Sequence, residues 1–508
     1  MNRISYLRIP VVLAASALIS AAATAQTSPW EREVVYQIFP RSYCDSNGDH
    51  VGDLKGITGK LPFLHRFGIT TILINPIFKA REYHNYFADD FFQVDPSLGT
   101  NEDFFKLIRR AHRIHMKVIL DMEIQYVADR HPWLAEVLKN PESPYASYVW
   151  TKGSAFFGMN IPWWGGAKVE VAAINPDNPA VKSYAKKIFR FWAAPNGHPD
   201  AGVDGFRIDH MMDDLDFKHI KTGMLHGFWR PIIEDLKSIK PNAFFLAEQA
   251  DWKLGTDCFE SAHVDSVYAF PLYLAFKTQN KTNITNAILE TNRTTPARKS
   301  DFIFIENHDV ERFASVACSD PMLMRLGAVF NLTMKGTPMI YYGQELGMKG
   351  IQHNWNSDGN DIPVRLAYRW TKKVDGMESA NFYRNTGPWD KTGFTKDNDG
   401  ISLEEEAPSP DSLFNFYRRL IQLRMSNSVL QTGSVSIVEN KNSSILSYLR
   451  VQGSKRVLVL LNLAATSQPI SVGDIARSNR KVNLLTGKAI AGKRMILPPH
   501  GYRIVELR

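Results

Sequence analysis

The chain has 508 residues, 44% of them hydrophobic and 22% charged, an ordinary globular balance with room for one large domain and satellites. Lys and Arg outnumber Asp and Glu by 60 to 52, but the basic residues are scattered among acids, which argues against a nucleic-acid-binding face. Three cysteines (Cys44, Cys258 and Cys318) form at most one pair, too few for a disulfide framework.

Arg3 and Arg8 precede an apolar run from Val11 to Ala23, and Ala23-Thr24-Ala25 is a small-residue cleavage site. Residues 1–25 therefore read as a signal peptide removed before Gln26. A membrane anchor is the other reading, but the run is short of the roughly 20 residues a span needs. The expected location is periplasmic or secreted, with no stable membrane insertion after cleavage.

From residue 34 onward, short apolar runs alternate with amphipathic stretches. Eight runs read as strands: 34–40, 70–78, 117–124, 203–209, 243–249, 264–270, 301–307 and 337–343. Helical patterns lie between them, such as 101–115 and 179–192. Repeated βα units of this kind predict an α/β fold, a closed (β/α)8 TIM barrel, over 26–124 and 180–427. The third unit is interrupted at 125–179 by a Trp-, Pro- and Gly-rich stretch, expected to form a small inserted domain. Beyond the helix at 412–426, alternation and turn residues over 428–508 predict a separate antiparallel β-sandwich domain. There is no internal repeat and no low-complexity tract.

One strand carries unusual charges. In "GVDGFRIDHM" (202–211), Arg207 and Asp209 share one strand face while Phe206 and Ile208 take the other. Charges inside a buried strand are paired or put to use. Active sites of such barrels lie at the C-terminal ends of the strands. Reading off those ends gives Asp121, Arg207 and Asp209, Glu248, then Asn307-His308-Asp309. Any one acid there could be a helix cap; four converging with Arg and His point to chemistry. No zinc spacing, phosphate loop or serine elbow is present. Acids in a Trp-rich pocket suggest glycosidic cleavage by a carboxylate nucleophile and a protonated acid. Arg207 would hold Asp209 ionised, and the apolar "AFFLA" before Glu248 would keep that acid protonated.

With these residues in view, the chain resembles the α-amylase superfamily, glycoside hydrolase family 13, from about Val34 to the C-terminus. "GVDGFRID", "LAEQ" and "IENHD" are similar to three of its conserved regions. "VYQIFPRSYCDSNGDHVGDLKGI", "HNYFADDFFQVDPSLGT", "INPDNPAV" and "GTPMIYYGQELG" are similar to other stretches. The resemblance implies Asp209 as nucleophile, Glu248 as acid/base and Asp309 as transition-state stabiliser. It implies sugar contacts from His84, Tyr86, Asp121, Tyr126, Arg207 and His308. The implied activity is retaining hydrolysis of α-glucosidic bonds, mainly α-1,4, in starch, maltodextrins or related glucans. The alternatives are an exo-acting α-glucosidase, a cyclomaltodextrinase or neopullulanase, a transglycosylase, or, outside enzymes, a silent sugar-binding protein. The presence of all three acids speaks against the last.

Two further features qualify this reading. In "DSNGDHVGD", Asp45, Asn47, Asp49 and Asp53, with the Val51 carbonyl, place oxygen ligands at alternating positions, a pattern suited to a structural Ca2+ or Mg2+. An Asx-turn surface loop is the alternative. The family's first region, D-x-V-x-N-H, reads "DMEIQY" here, so Gln125 and Tyr126 replace an Asn that helps bind calcium and a sugar-binding His. The expectation is that the inserted domain is held by aromatic packing from 131–133 and 162–166, and that Tyr126 limits which sugar or linkage is accepted.

Overall fold

The computed structural model describes residues 27–508 apart from 153–154, 157, 163, 165, 167, 472–480 and 491–493. The signal-peptide segment, and Trp163 and Gly165 of the 162–166 stretch, lie outside the described residues. Eight parallel strands close into a barrel: β1 (Val35–Ile38), β2 (Thr71–Ile74), β3 (Lys117–Met122), β4 (Gly205–Met211), β5 (Phe244–Gln249), β6 (Ser266–Tyr268), β7 (Ser300–Ile303) and β8 (Thr337–Tyr341). Each pairs in parallel with its neighbour in sequence, and β8 closes onto β1. Each overlaps a run that the sequence marks as a strand; β4 continues two residues past its run, to Met211, and β7 begins one residue before its own, at Ser300.

The two faces of each strand have different fates, as a period of two requires. Tyr36, Ile72, Val118, Leu120, Phe206, Ile208 and Phe245 belong to the outer apolar layer under the helices. Val35, Leu73, Ile119, Phe244, Leu246, Phe302 and Met339 fill the barrel interior. Trp30 stacks on Phe244 with ring centres 3.8 Å apart. Two residues further along the same inward face, several strands become polar: Gln37 after Val35, Asn75 after Leu73, Asp121 after Ile119 and Glu248 after Leu246. All four are buried. The barrel is thus apolar below and polar at its C-terminal mouth.

Helices cover the outside, among them α1 (Leu54–Phe67), α2 (Asn101–Arg113) and α3 (Pro179–Ala193). Thr100 caps α2 in a capping box with Asp103, and Asn178 with Pro179 starts α3. Between β3 and α3 stand a short helix, Pro132–Lys139, and an antiparallel sheet of Tyr126–Ala128, Lys168–Ala173 and Gly158–Pro162. Aromatic rings tie this insertion to the barrel. Trp164 meets Tyr83 and Phe382, and Trp133 meets Tyr184 of α3.

After a helix at Leu413–Ser426 come a five-stranded antiparallel sheet and a two-stranded one. Ile445, Leu458, Leu460, Leu497 and Val505 form their shared core. Buried Arg450 donates to the carbonyls of Thr333 (2.6 Å) and Gly433 (2.7 Å), fastening this domain to the barrel. The three cysteines are free. No helix among the described residues is long and apolar enough to cross a membrane.

Candidate active site

The polar mouth is organised around Arg207. The strand register puts it beside Asp121 of β3, and both side chains are buried. β5 presses close behind: a Cβ at Gly205 would stand 2.4 Å from the Phe244 carbonyl oxygen, so only glycine fits there. Arg207 Nη1 donates to Asp121 Oδ1 (2.8 Å) and pairs with Asp209 Oδ1. Its Nη2 lies 2.9 Å from Glu248 Oε2 and 3.9 Å from Asp309 Oδ2. One guanidinium therefore faces four carboxyl groups from β3, β4, β5 and the loop after β7. Burying so much charge is tolerable because the fork matches carboxylates in geometry and compensates them in sign.

Burial acts on the acids unequally. Glu248 is pushed upward by desolvation and by Asp209, against the pull of Arg207. Asp309 is raised to about 6 and Asp121 to about 7, desolvation leading in both. At the end of β4 the chain kinks. His210 has φ 48°, uncommon for a residue with a Cβ, and this turn aims its N–H at Glu248 Oε2 (3.0 Å).

Opposite Arg207, a hydrogen-bonded chain fixes the floor. Asn75 Nδ2 and the Tyr86 hydroxyl both donate to Asp121 Oδ2 at 2.8 Å. Gln37 Nε2 donates to His308 Nδ1 (2.8 Å), so His308 Nε2 carries the hydrogen, facing the Tyr86 oxygen at 2.5 Å. Burial and the nearby Arg207 and Arg365 keep His308 neutral. The Tyr86 and His308 rings stack at 5.8 Å with 7° between planes. His84 sits 3.7 Å from Asp358 at the rim.

The structure thus brings Asp209, Glu248, Asp309, Asp121, Arg207, Tyr86 and His308 together, with His84 alongside. Tyr126 is close by, edge-on to Phe87 at 6.4 Å, but its hydroxyl bonds to Asp216 in the loop after β4. Gln125 Nε2 donates to the His210 carbonyl (2.8 Å), linking the ends of β3 and β4 directly.

Sequence reasoning missed several members. Gln37 and Asn75 are polar residues at strand ends, a signal available in "VVYQIFP" and "TTILINPIF". Arg365 donates to Asp309 Oδ1 (2.9 Å), to the His308 carbonyl (2.9 Å) and to the Tyr83 hydroxyl (2.7 Å); no local pattern marked it. Glu123, two residues past Asp121 on the same alternation, is only 2% exposed, and it follows Met122, the register partner of Ile208, just as Asp209 follows Ile208.

The loop at 45–53 is separate from this mouth. Asp45 accepts from the N–H groups of Asn47 (2.9 Å), Gly48 (2.7 Å) and His50 (2.8 Å). Asp49 accepts from Val51 N–H (2.8 Å), and Asp53 caps α1 through Gly56 (2.8 Å) and takes Ser46 (2.9 Å). Its donors are all oxygen, the right kind for a hard cation. As folded, they are turned onto the loop's own amides, and no group of three or more His, Cys, Asp or Glu among the described residues is arranged to hold a metal ion.

A closed parallel barrel whose C-terminal mouth gathers carboxyl groups around one arginine defines a barrel hydrolase of the glycosidase type. The family model described as "Alpha amylase, catalytic domain" matches residues 37–433, and the chain belongs to that family of glycoside hydrolases. It is 30% identical to "Alpha-amylase 3" of Dictyoglomus thermophilum, over 94% of each chain. It is 26% identical to the oligo-1,6-glucosidase of Bacillus cereus, over 86% of this chain and 91% of that one. The crystal structure of an α-amylase from H. orenii superposes with a TM-score of 0.78 at 25% identity, covering 94% and 99% of the two chains.

Proposed function

We propose that the protein cleaves α-1,4-glucosidic bonds of starch-derived glucans and maltodextrins with retention of anomeric configuration. The observation that carries this is the loaded fork of Arg207, with Asp209 on one nitrogen and Glu248 on the next. Carboxylates held side by side suit the separation of about 5 Å of retaining enzymes rather than the roughly 6.5–9.5 Å that leaves room for a water.

In this reading the Asp209 carboxylate attacks the anomeric carbon. Glu248, kept protonated by burial, gives its proton to the departing glycosidic oxygen. Water then attacks the same carbon and loses a proton to Glu248, while the bond to Asp209 breaks and its electron pair returns to the carboxylate. Asp309, placed by Arg365, faces the positive charge that develops on the sugar. Neutral His308 donates from Nε2, and Tyr86 offers its ring face to the bound sugar.

The names of the relatives favour a second reading, exo-acting cleavage or α-1,6 linkages, since they include an oligo-1,6-glucosidase and "Neopullulanase 2" of Thermoactinomyces vulgaris, 26% identical over 92% of this chain. Chromatography of products from maltoheptaose, cyclodextrin, isomaltose and panose separates the two. Proton NMR of fresh product should show the α-anomer first, and Asp209→Asn should lose all but a few percent of activity. A β-anomer, or an active Asp209→Asn enzyme, overturns the mechanism.

The reading extends to two features of the sequence. Residues 1–25 act as an export signal, placing the mature enzyme in the periplasm or outside the cell, where polymeric glucans are met; N-terminal sequencing of the exported protein should begin at Gln26. The 45–53 loop takes up Ca2+, with Mg2+ as the alternative, through Asp45, Asn47, Asp49, the Val51 carbonyl and Asp53. Supporting this, Asp45 Oδ2 and Asp49 Oδ1 each accept one N–H and keep a second acceptor position.

A further inference from the structure

We propose that Glu123 is a positioning residue for the nucleophile: a neutral carboxylic acid that donates a hydrogen bond to Asp209 and stabilises that carboxylate each time it is released from the sugar. The inference rests on Asp209 being the nucleophile.

Glu123 follows the last residue of β3, Met122, and shares the inward alternation of Ile119 and Asp121. It is buried, and one of its oxygens accepts from the Gln125 backbone N–H. Met122 and Ile208 are paired across β3 and β4, so Glu123 and Asp209, which follow them, stand side by side at the strand ends. Two carboxyl groups side by side can hydrogen-bond only if one of them holds a proton. Asp209 already pairs with Arg207, whereas no ion pair with Lys, Arg or His is found for Glu123 among the described residues. The proton therefore belongs to Glu123. Burial and the Asp209 charge push Glu123 the same way, far above the usual carboxylate range.

The charged and titratable groups around it come from every neighbouring strand end: Asp121 on β3, Arg207 and Asp209 on β4, Glu248 on β5, and Tyr126 where the insertion begins. Arg207 is the buried cation among them and is spent on the other acids, while the His210 side chain at the end of β4 is exposed. An ionised Glu123 would thus stand uncompensated beside the nucleophile.

A neutral donor on a carboxylate has two consequences. It favours the ionised form, so the nucleophile stays available at lower pH. It also makes the carboxylate a better leaving group when water attacks the glycosyl-enzyme: the bond from the anomeric carbon to Asp209 breaks, the electron pair settles on Asp209, and the Glu123 O–H is already aimed at it.

The test compares Glu123→Gln, which keeps an N–H donor and cannot ionise, with Glu123→Met, which keeps volume and loses the donor. The measurements are the pH profile of kcat/KM and steady-state and burst kinetics on an aryl α-maltoside. The expected result for Glu123→Met is an acidic limb about one pH unit higher. Its kcat should fall roughly tenfold or more with KM falling alongside, as glycosyl-enzyme accumulates and a burst of aryl alcohol appears. Glu123→Gln should keep the acidic limb where the parent has it. Parent-like limbs and kinetics in both variants overturn the proposal. So does a downward shift of the limb in Glu123→Gln, which would mean that Glu123 was ionised and repelling Asp209; that outcome remains decisive if the Met variant does not fold. Failure of the nucleophile assignment is recognised separately, by an active Asp209→Asn enzyme.

Discussion

Arg365 holds Asp309: its Nη2 lies 2.9 Å from Asp309 Oδ1, and its Nε donates to the neighbouring His308 carbonyl at 2.9 Å. The two bonds fix both the carboxylate and the backbone that carries it. Arg365 also lowers Asp309 against the burial that raises it to about 6. Replacing Arg365 with Met should lower kcat/KM by at least about tenfold, roughly 1.4 kcal/mol, and move the acidic limb of the profile to higher pH. Arg365→Lys should recover part of the limb position through its charge but not the rate, since an ammonium cannot span both acceptors. A Met variant with parent-like kinetics would show that Asp309 is positioned by other contacts.

Tyr126 spends its hydroxyl on Asp216, a residue at φ 52° in the loop after β4. Tyr126→Phe should therefore cost stability, about 1 kcal/mol, seen as a small drop in Tm. Its substrate preferences should change less than about twofold. Tyr126→His is shorter and loosens the insertion against that loop, so the ratio of kcat/KM for maltotriose over panose should move by more than this. A large loss of efficiency in Tyr126→Phe with unchanged Tm would instead place the hydroxyl on the sugar.

Glu82 is buried with neither carboxyl oxygen hydrogen-bonded, and it is raised to about 8 by desolvation. Its folded-state value lies above the unfolded value near 4, so the stability it confers is present below about pH 4 and is lost as pH rises through about 8. Glu82→Gln carries no such ionisation. The difference in Tm, variant minus parent, should become more positive between pH 6 and pH 9. A constant difference across that range would show that the carboxyl is solvated.

Chelation of divalent metal should lower the Tm of the parent, because a ligand bound only by the folded state stabilises it. Asp49→Ala should abolish that response, Asp49 being an exposed donor of the 45–53 loop whose contacts are local. An equal response in parent and variant would assign the effect to another place on the chain.

The pattern of the chain determined the architecture on its own. Apolar runs of strand length alternating with helical stretches specify βα units. Eight such units have a closed barrel as their solution, and the turn-rich alternation after residue 428 specifies antiparallel pairing. The same period of two put Arg207 and Asp209 on one face, and the rule that strand C-termini carry the site then reached Asp121, Glu248 and Asp309. Applied to "KVILDMEI", it would also have marked Glu123, a charge at alternating spacing from Asp121. What only the tertiary structure decided is which groups oppose which. Arg365 reaches Asp309 from a loop 56 residues further along the chain. Tyr126 turns to Asp216, 90 residues away, and Gln125 closes on the carbonyl of His210. Strand patterns are local and survive in the sequence because each residue's face follows from its neighbours. The partner of a long side chain at the barrel mouth is set by closure of the sheet and by loops packed across it, distances that no local spacing encodes.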